Sequence, residues 1–236
     1  MTGTILNFFS ILVGGLIGMR FGKWLSEKAK DTITTGLGLF TLGIGLKMFL
    51  DTNDPLIVLA GILIGGLLGE FIRIEARVHT LGEFLENRFN NNSLDQTPKN
   101  NFIHGFLASS ILFCTGPMAI LGAIQDGLVG DYQLLAIKSV LDGFAAFALA
   151  SSFGPGVLFS AGVVFIYQGL FSILANQFQT IMTSNMVAEM TATGGILLIG
   201  ISLSSLLQIK KIRVGNLIPS LLISPLIVFI LSLINP

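Results

Sequence analysis

Charge is scarce in this chain. Of its 236 residues 11% are Asp, Glu, Lys or Arg and 52% are apolar, whereas a water-soluble domain of that length carries roughly twice the charged fraction. Thirteen bases balance thirteen acids, and no basic stripe stands out, which argues against nucleic acid as a partner. The lone cysteine, Cys114, cannot close an intramolecular disulfide, and no Cys/His cluster has metal-ligand spacing. No Gly-Lys-Ser/Thr loop is present to hold ATP. His79 and His104 both fall near one surface, leaving no Ser/His/Asp set within a membrane, and Cys114 has no base in evident reach. Neither an enzymatic activity nor a cofactor is expected.

Long apolar runs are what the sequence has instead. A hydrocarbon layer about 30 Å thick takes roughly 20 residues of helix, and eight stretches come close, near 2–19, 33–50, 55–72, 102–124, 132–153, 155–175, 191–209 and 214–234. They are continuously apolar, not alternating, and only a helix satisfies its own backbone within lipid. The predicted fold is therefore all-α: a polytopic transmembrane bundle of about eight spans, one integral membrane domain over 1–236. The first run lacks a basic leader and a small-x-small cleavage site, so it reads as a retained span.

Lys and Arg sort by loop. Arg20, Lys23, Lys28 and Lys30 follow span one, Arg73, Arg77, Arg88 and Lys99 follow span three, and Lys210, Lys211 and Arg213 follow span seven, so odd-numbered loops hold 11 of the 13 bases. Asp51, Asp54, Asp126, Asp131 and Glu189 are assigned to the even-numbered loops. The positive-inside rule then makes the odd loops cytoplasmic and puts both termini outside.

Between spans three and four, Ile74, Val78, Leu81, Leu85 and Phe89 recur at steps of four, three, four and four. This predicts an amphipathic helix over 73–89 lying on the cytoplasmic leaflet, with a polar linker over 90–101. Two internal echoes follow. ILVGGLIG at 11–18 and ILIGGLLG at 62–69 agree at six of eight positions, and TITTGLGLFTLGIGL in span two resembles EMTATGGILLIGISL in span seven. The second pair should run in opposite directions and suggests an inverted repeat, a plan common in transporters. The glycines of spans one and three are spaced for close helix contact, either inside one subunit or in a homodimer.

Polar residues inside the runs are the functional candidates. Pro117 lacks an amide hydrogen and clashes with the carbonyl of Phe113, so span four should kink or open there. Either the kink serves packing, or Cys114, Thr115, Gly116 and Pro117 form a broken helix lining a site. Lys138 and Asp142 lie four apart on one face of span five, with the acid near mid-depth. A bare charge there costs several kcal/mol; the two are either a neutralised pair that fixes helix rotation or a cation or proton site. Asn7, Thr34, Thr41, Gln168, Thr193 and Asn216 are further deep polar residues, individually suited to bonds between helices and together sufficient for a polar cavity. Glu70 is expected to pair with Arg73 or Arg77. Asp126 and Asp131 flank a short outer turn, as turn formers or as a mouth that collects cations.

GPMAILGAIQDGLVGD (116–131) and KSVLDGFAAFALASSFGPGVLFSA (138–161), with GTILNFFSILVGGLIG near the start, resemble the bacterial membrane family catalogued as domain of unknown function 554. The resemblance implies a multi-pass protein of the prokaryotic cytoplasmic membrane and supplies no activity. Gly116, Pro117, Gln125, Asp126, Lys138, Asp142 and Gly143 belong to its distinctive stretch. The expected function is a secondary transporter or channel for a small cation, or for a small solute coupled to one, with spans four and five as the pathway. A membrane scaffold in which these residues only lock helices together is the competing expectation.

Overall fold

The computed structural model describes the chain except residues 23, 78–79, 81–98, 115–116 and 235–236. Most of the expected interfacial helix, nearly all of the linker, and Thr115 and Gly116 lie outside the described residues. Those described form helices without a strand: α1 (Thr2–Gly22), α2 (Glu27–Leu50), α3 (Pro55–Ile72), α4 (Lys99–Cys114), α5 (Pro117–Val129), α6 (Gln133–Phe153), α7 (Gly156–Ile173), α8 (Ala175–Ile181), α9 (Ser184–Ile201) and α10 (Ser220–Ile234). A π-helical turn, Ser202–Leu206, continues α9, and a short 3-10 turn, Val214–Leu217, precedes α10.

The boundaries follow local chemistry. Ser26 caps α2 by accepting the Ala29 amide at 3.2 Å, Asp54 caps α3 through the Leu56 amide at 2.9 Å with Pro55 next to it, and Thr183 caps α9 through Met186 at 3.2 Å. Gly154 stops α6 at φ 74°, a conformation that favours glycine.

Seven helical segments are long and apolar enough to cross a membrane, and α4 and α5 make an eighth as a pair bent by 59°. Contacts at the two ends of this pair distinguish a bent crossing from a re-entrant hairpin. A Cβ on Gly156, at the start of α7, would meet the carbonyl of Phe102, while one on Gly127 would meet the carbonyl of Ser172 near the other end of α7. Phe102 and Gly127 are thus separated by nearly the length of α7, about 25 Å. Span four crosses.

The same reasoning sorts the loops. Gly22 lies against Ser151, Gly69 against Asn216 and Gly156 against Phe102 at one face, the face bearing the bases; Gly3 lies against Leu135, and Glu189 against residues 52–54, at the other. Eight alternating crossings satisfy every one of these contacts.

The glycines of the echoed motif make close helix contacts inside this subunit. Gly14, Gly18 and Gly22 of α1 face the backbone of Gly143, Phe147 and Ser151 on α6, which runs parallel to α1; Gly61 and Gly65 of α3 face Ser224 and Ser220 on α10, which runs antiparallel to α3, and Gly69 faces Asn216 in the turn before α10. The motif repeats but its partner's direction does not. The second echo becomes a direct contact, because Gly45 of α2 meets Gly195 of α9 and Ser202 Oγ donates to the Gly38 carbonyl at 2.7 Å, setting α2 and α9 antiparallel. The main core joins Ile11, Phe113, Leu149, Val157, Val164, Leu197 and Ile201, with α9 the most enclosed crossing and α2 and α3 at the periphery.

Candidate functional site

α1 and α6 approach at backbone distance because glycines line their contact, and that approach brings Asn7 against Asp142. Asn7 Nδ2 donates to Asp142 Oδ2 at 2.9 Å and to Gln168 Oε1 of α7 at 3.3 Å. Lys138, one turn before Asp142 on α6, donates to the same carboxylate oxygen and closes an ion pair. The lysine also lies 5.9 Å from the Phe113 ring on α4, within cation–π range. Cys114 sits close enough to feel both charges, and Tyr167 close enough to feel Cys114. Asn7 and Gln168 are wholly buried, and Lys138 and Asp142 nearly so, at 5% and 7% exposure. Four helices thus meet in one polar junction.

Its hydrogen-bonding capacity is not used up. Asn7 Oδ1, Gln168 Nε2 and Tyr167 Oη are buried without a hydrogen-bond partner among the described residues, as are the hydroxyls of Thr4, Ser110 and Ser172. Thr4 lies three residues from Asn7, Ser110 four from Cys114 and Ser172 four from Gln168, spacings that put each on the same helical face as its junction neighbour. Of the other buried hydroxyls, those of Ser152 and Thr191 are likewise without a partner among the described residues, whereas Ser109, Ser139 and Ser160 donate to carbonyls of their own helices at 2.6, 2.7 and 2.6 Å. Thr4, Ser110 and Ser172 thus continue the helix faces of α1, α4 and α7 that carry the junction residues. Buried polar atoms ordinarily find partners, in protein or in ordered water.

Of the residues expected from sequence to form a site, the structure joins Asn7, Cys114, Lys138, Asp142 and Gln168. Pro117 begins α5 beside the bend. Gln125 is apart, exposed and donating to Asp131 Oδ2 at 2.9 Å. Asp126 does not line a mouth or sit in a loop. It is a buried residue of α5 whose Oδ2 accepts the Gly3 amide at 2.9 Å and whose Oδ1 lies 3.2 Å from the Met1 amino group, at the positive end of α1.

Glu189 is a second correction, since it too is helical and buried. Its carboxylate accepts the Thr52 hydroxyl at 2.6 Å and the Asn53 and Asp54 amides at 2.8 and 3.0 Å, fastening the start of α3. Glu70 pairs not with Arg73 or Arg77 but with Arg213 at 2.6 Å and Asn216 at 2.7 Å, tying α3 to the turn before α10. No group of three or more His, Cys, Asp or Glu able to hold a metal occurs among the described residues.

Tyr167 and Ser110 were missed from sequence. The chain has only two tyrosines, and one standing next to a mid-span glutamine was the available signal.

A family model described as "Protein of unknown function (DUF554)" matches residues 2–229. The chain belongs to DUF554. It is similar to the uncharacterized membrane protein YdfK of Bacillus subtilis (strain 168), with 34% identity over 98% of this chain and 97% of that protein. It is also similar to the uncharacterized protein YqgA of Escherichia coli (strain K12), with 33% identity over 94% of each. No solved structure matches. The polar junction therefore sits in a DUF554 membrane bundle, and the site itself has to carry any reading of function.

Proposed function

We propose that this DUF554 protein is a secondary transporter or channel of the prokaryotic cytoplasmic membrane, moving a small cation or a small solute coupled to one. The supporting observation is the junction of α1, α4, α6 and α7, where an ion pair at mid-depth is surrounded by buried polar groups without partners. Asp142 already holds Lys138. Both resident donors hold Oδ2, so a cation or proton binding at that oxygen competes with Lys138: a cation arrives and lysine leaves, or a proton arrives and the lysine is freed for another partner. Such exchange couples occupancy to the position of α6 against α1, because Asn7 shares the same carboxylate oxygen. α4 ends at Cys114 beside the junction, and α5 leaves from Pro117 at 59° to it. Basic loops on the cytoplasmic side put both termini outside.

One observation favours the scaffold reading: a Lys138–Asp142 pair inside glycine-tight packing is also what a static lock looks like. Gradient-driven uptake into proteoliposomes separates the two. In a transporter, Asp142→Asn with Lys138→Met inserts normally and abolishes flux. A flux-free wild type across a cation and amino-acid panel would leave the lock.

A further inference from the structure

The charges around the junction constrain what it can accept. Among the described helices that form it, α7 carries no ionisable Asp, Glu, Lys, Arg or His, α6 carries only Lys138 and Asp142, and α1 only Arg20, at its basic end. Lys99 and His104 belong to α4 near that same end, and Asp126 of α5 is committed to the start of α1. The junction therefore holds one positive and one negative group and is neutral as a pair. A lone cation or a lone anion entering it leaves a net charge in an apolar interior, which is strongly disfavoured. A solute bearing both signs does not.

The unpartnered groups match that requirement in kind. Next to Asp142, Asn7 Oδ1 is a free acceptor, and beyond it Gln168 Nε2 is a free donor with Tyr167 Oη able to do either. The orientation of the Asn7 amide is fixed because only its nitrogen can donate to the carboxylate. That in turn assigns Gln168 Oε1 as acceptor from Asn7 and leaves the Gln168 nitrogen unused. Acceptors for an ammonium (Asp142 and Asn7 Oδ1) stand beside donors for a carboxylate (Lys138 and Gln168 Nε2).

Resting on the transporter reading above, we infer that the solute is a small zwitterion of the α-amino acid class, its ammonium taken by Asp142 and Asn7 and its carboxylate by Lys138, Gln168 and the Tyr167 hydroxyl. Binding exchanges one internal ion pair for two, each group of the resident pair meeting its opposite on the solute, so the interior stays neutral throughout.

The probes are glycine and L-alanine as zwitterions, methylammonium and acetate as their single-charge halves, and sodium, potassium and a pH gradient alone. Purified protein in nanodiscs is titrated for ligand-dependent thermal stabilisation, and proteoliposomes are assayed for radiolabelled uptake. Saturable stabilisation and uptake are expected with glycine or alanine and with neither half. Tyr167→Phe, which removes one hydroxyl, and Gln168→Glu, which removes the donor while keeping the shape, should each weaken zwitterion binding, the latter by about tenfold or more. Should Gln168→Glu fail to fold, Tyr167→Phe carries the test. Uptake of methylammonium, sodium or protons without any zwitterion response would overturn this inference and leave the transport reading standing. Inertness to every probe would overturn both.

Discussion

Removing Lys138 alone strands the Asp142 carboxylate in the interior, and losing one partner of a buried pair typically costs about 3–5 kcal/mol. Lys138→Met should therefore lower the unfolding temperature in detergent sharply, whereas Lys138→Met with Asp142→Asn should recover most of the loss, a coupling that a double-mutant cycle measures directly. Glu189 serves stability in another way. Its carboxylate takes three donors from residues 52–54, and hydrogen bonds to a charged group contribute about 1.5–3 kcal/mol each, less where water can replace the lost partner, as at these partly exposed donors. Glu189→Ala is expected to destabilise by about 2–4 kcal/mol in total without touching the junction, and Glu189→Gln, which keeps one acceptor oxygen, by less. Both are read by thermal unfolding.

At the scale of elements, glycine position decides tolerance. A Cβ at Gly18 would overlap the Phe147 carbonyl, and one at Gly65 would overlap Ser220, while Gly36 and Gly43 on α2 have nothing within 4 Å. Gly18→Val or Gly65→Val should therefore split α1 from α6 or α3 from α10 and abolish a folded monodisperse peak in size-exclusion chromatography. Gly43→Ala should be neutral or gain up to about 1 kcal/mol from helix propensity.

Hydropathy placed α3 at its observed residues, 55–72, and found the other crossings, because lipid leaves a chain little choice but helix, but it began spans two and seven at 33 and 191, where the helices begin at Glu27 and Ser184. Pro117 marked the bend for the same reason, as a missing donor. Asp126 and Glu189 were misread because an acid near a span end lowers the local hydropathy, which placed both in loops although the helices run on to Val129 and start at Ser184. Their partners, Gly3 and residues 52–54, are more than a hundred residues away. Glu70 went to Arg213 over its neighbours by the same logic. The junction was half legible: spacing on α6 exposed Lys138 and Asp142, but only the α1–α6 glycine contact makes Asn7 their partner.

For the whole molecule, the eight crossings put exposed Ser26 and Lys210 on one face and exposed Tyr132 on the other. The lone native thiol, Cys114, is buried, so single introduced cysteines give a clean reading. Lys210→Cys should react with an impermeant maleimide only after the cytoplasmic side is opened, and Tyr132→Cys in intact cells. The reverse pattern would invert the bundle, and labelling of both from one side would remove a crossing.

The central claim is that the Lys138–Asp142 pair opens during function. Carbodiimide modification of Asp142 in proteoliposomes, followed by mass spectrometry, measures this directly, since the reagent attacks a protonated carboxyl in an apolar setting. The account predicts slow modification of Asp142 in the wild-type protein, faster at lower pH and suppressed by the transported cation or solute. An Asp142 inert under all these conditions, yet modified readily in a folded Lys138→Met variant, would make the pair a permanent lock and contradict it.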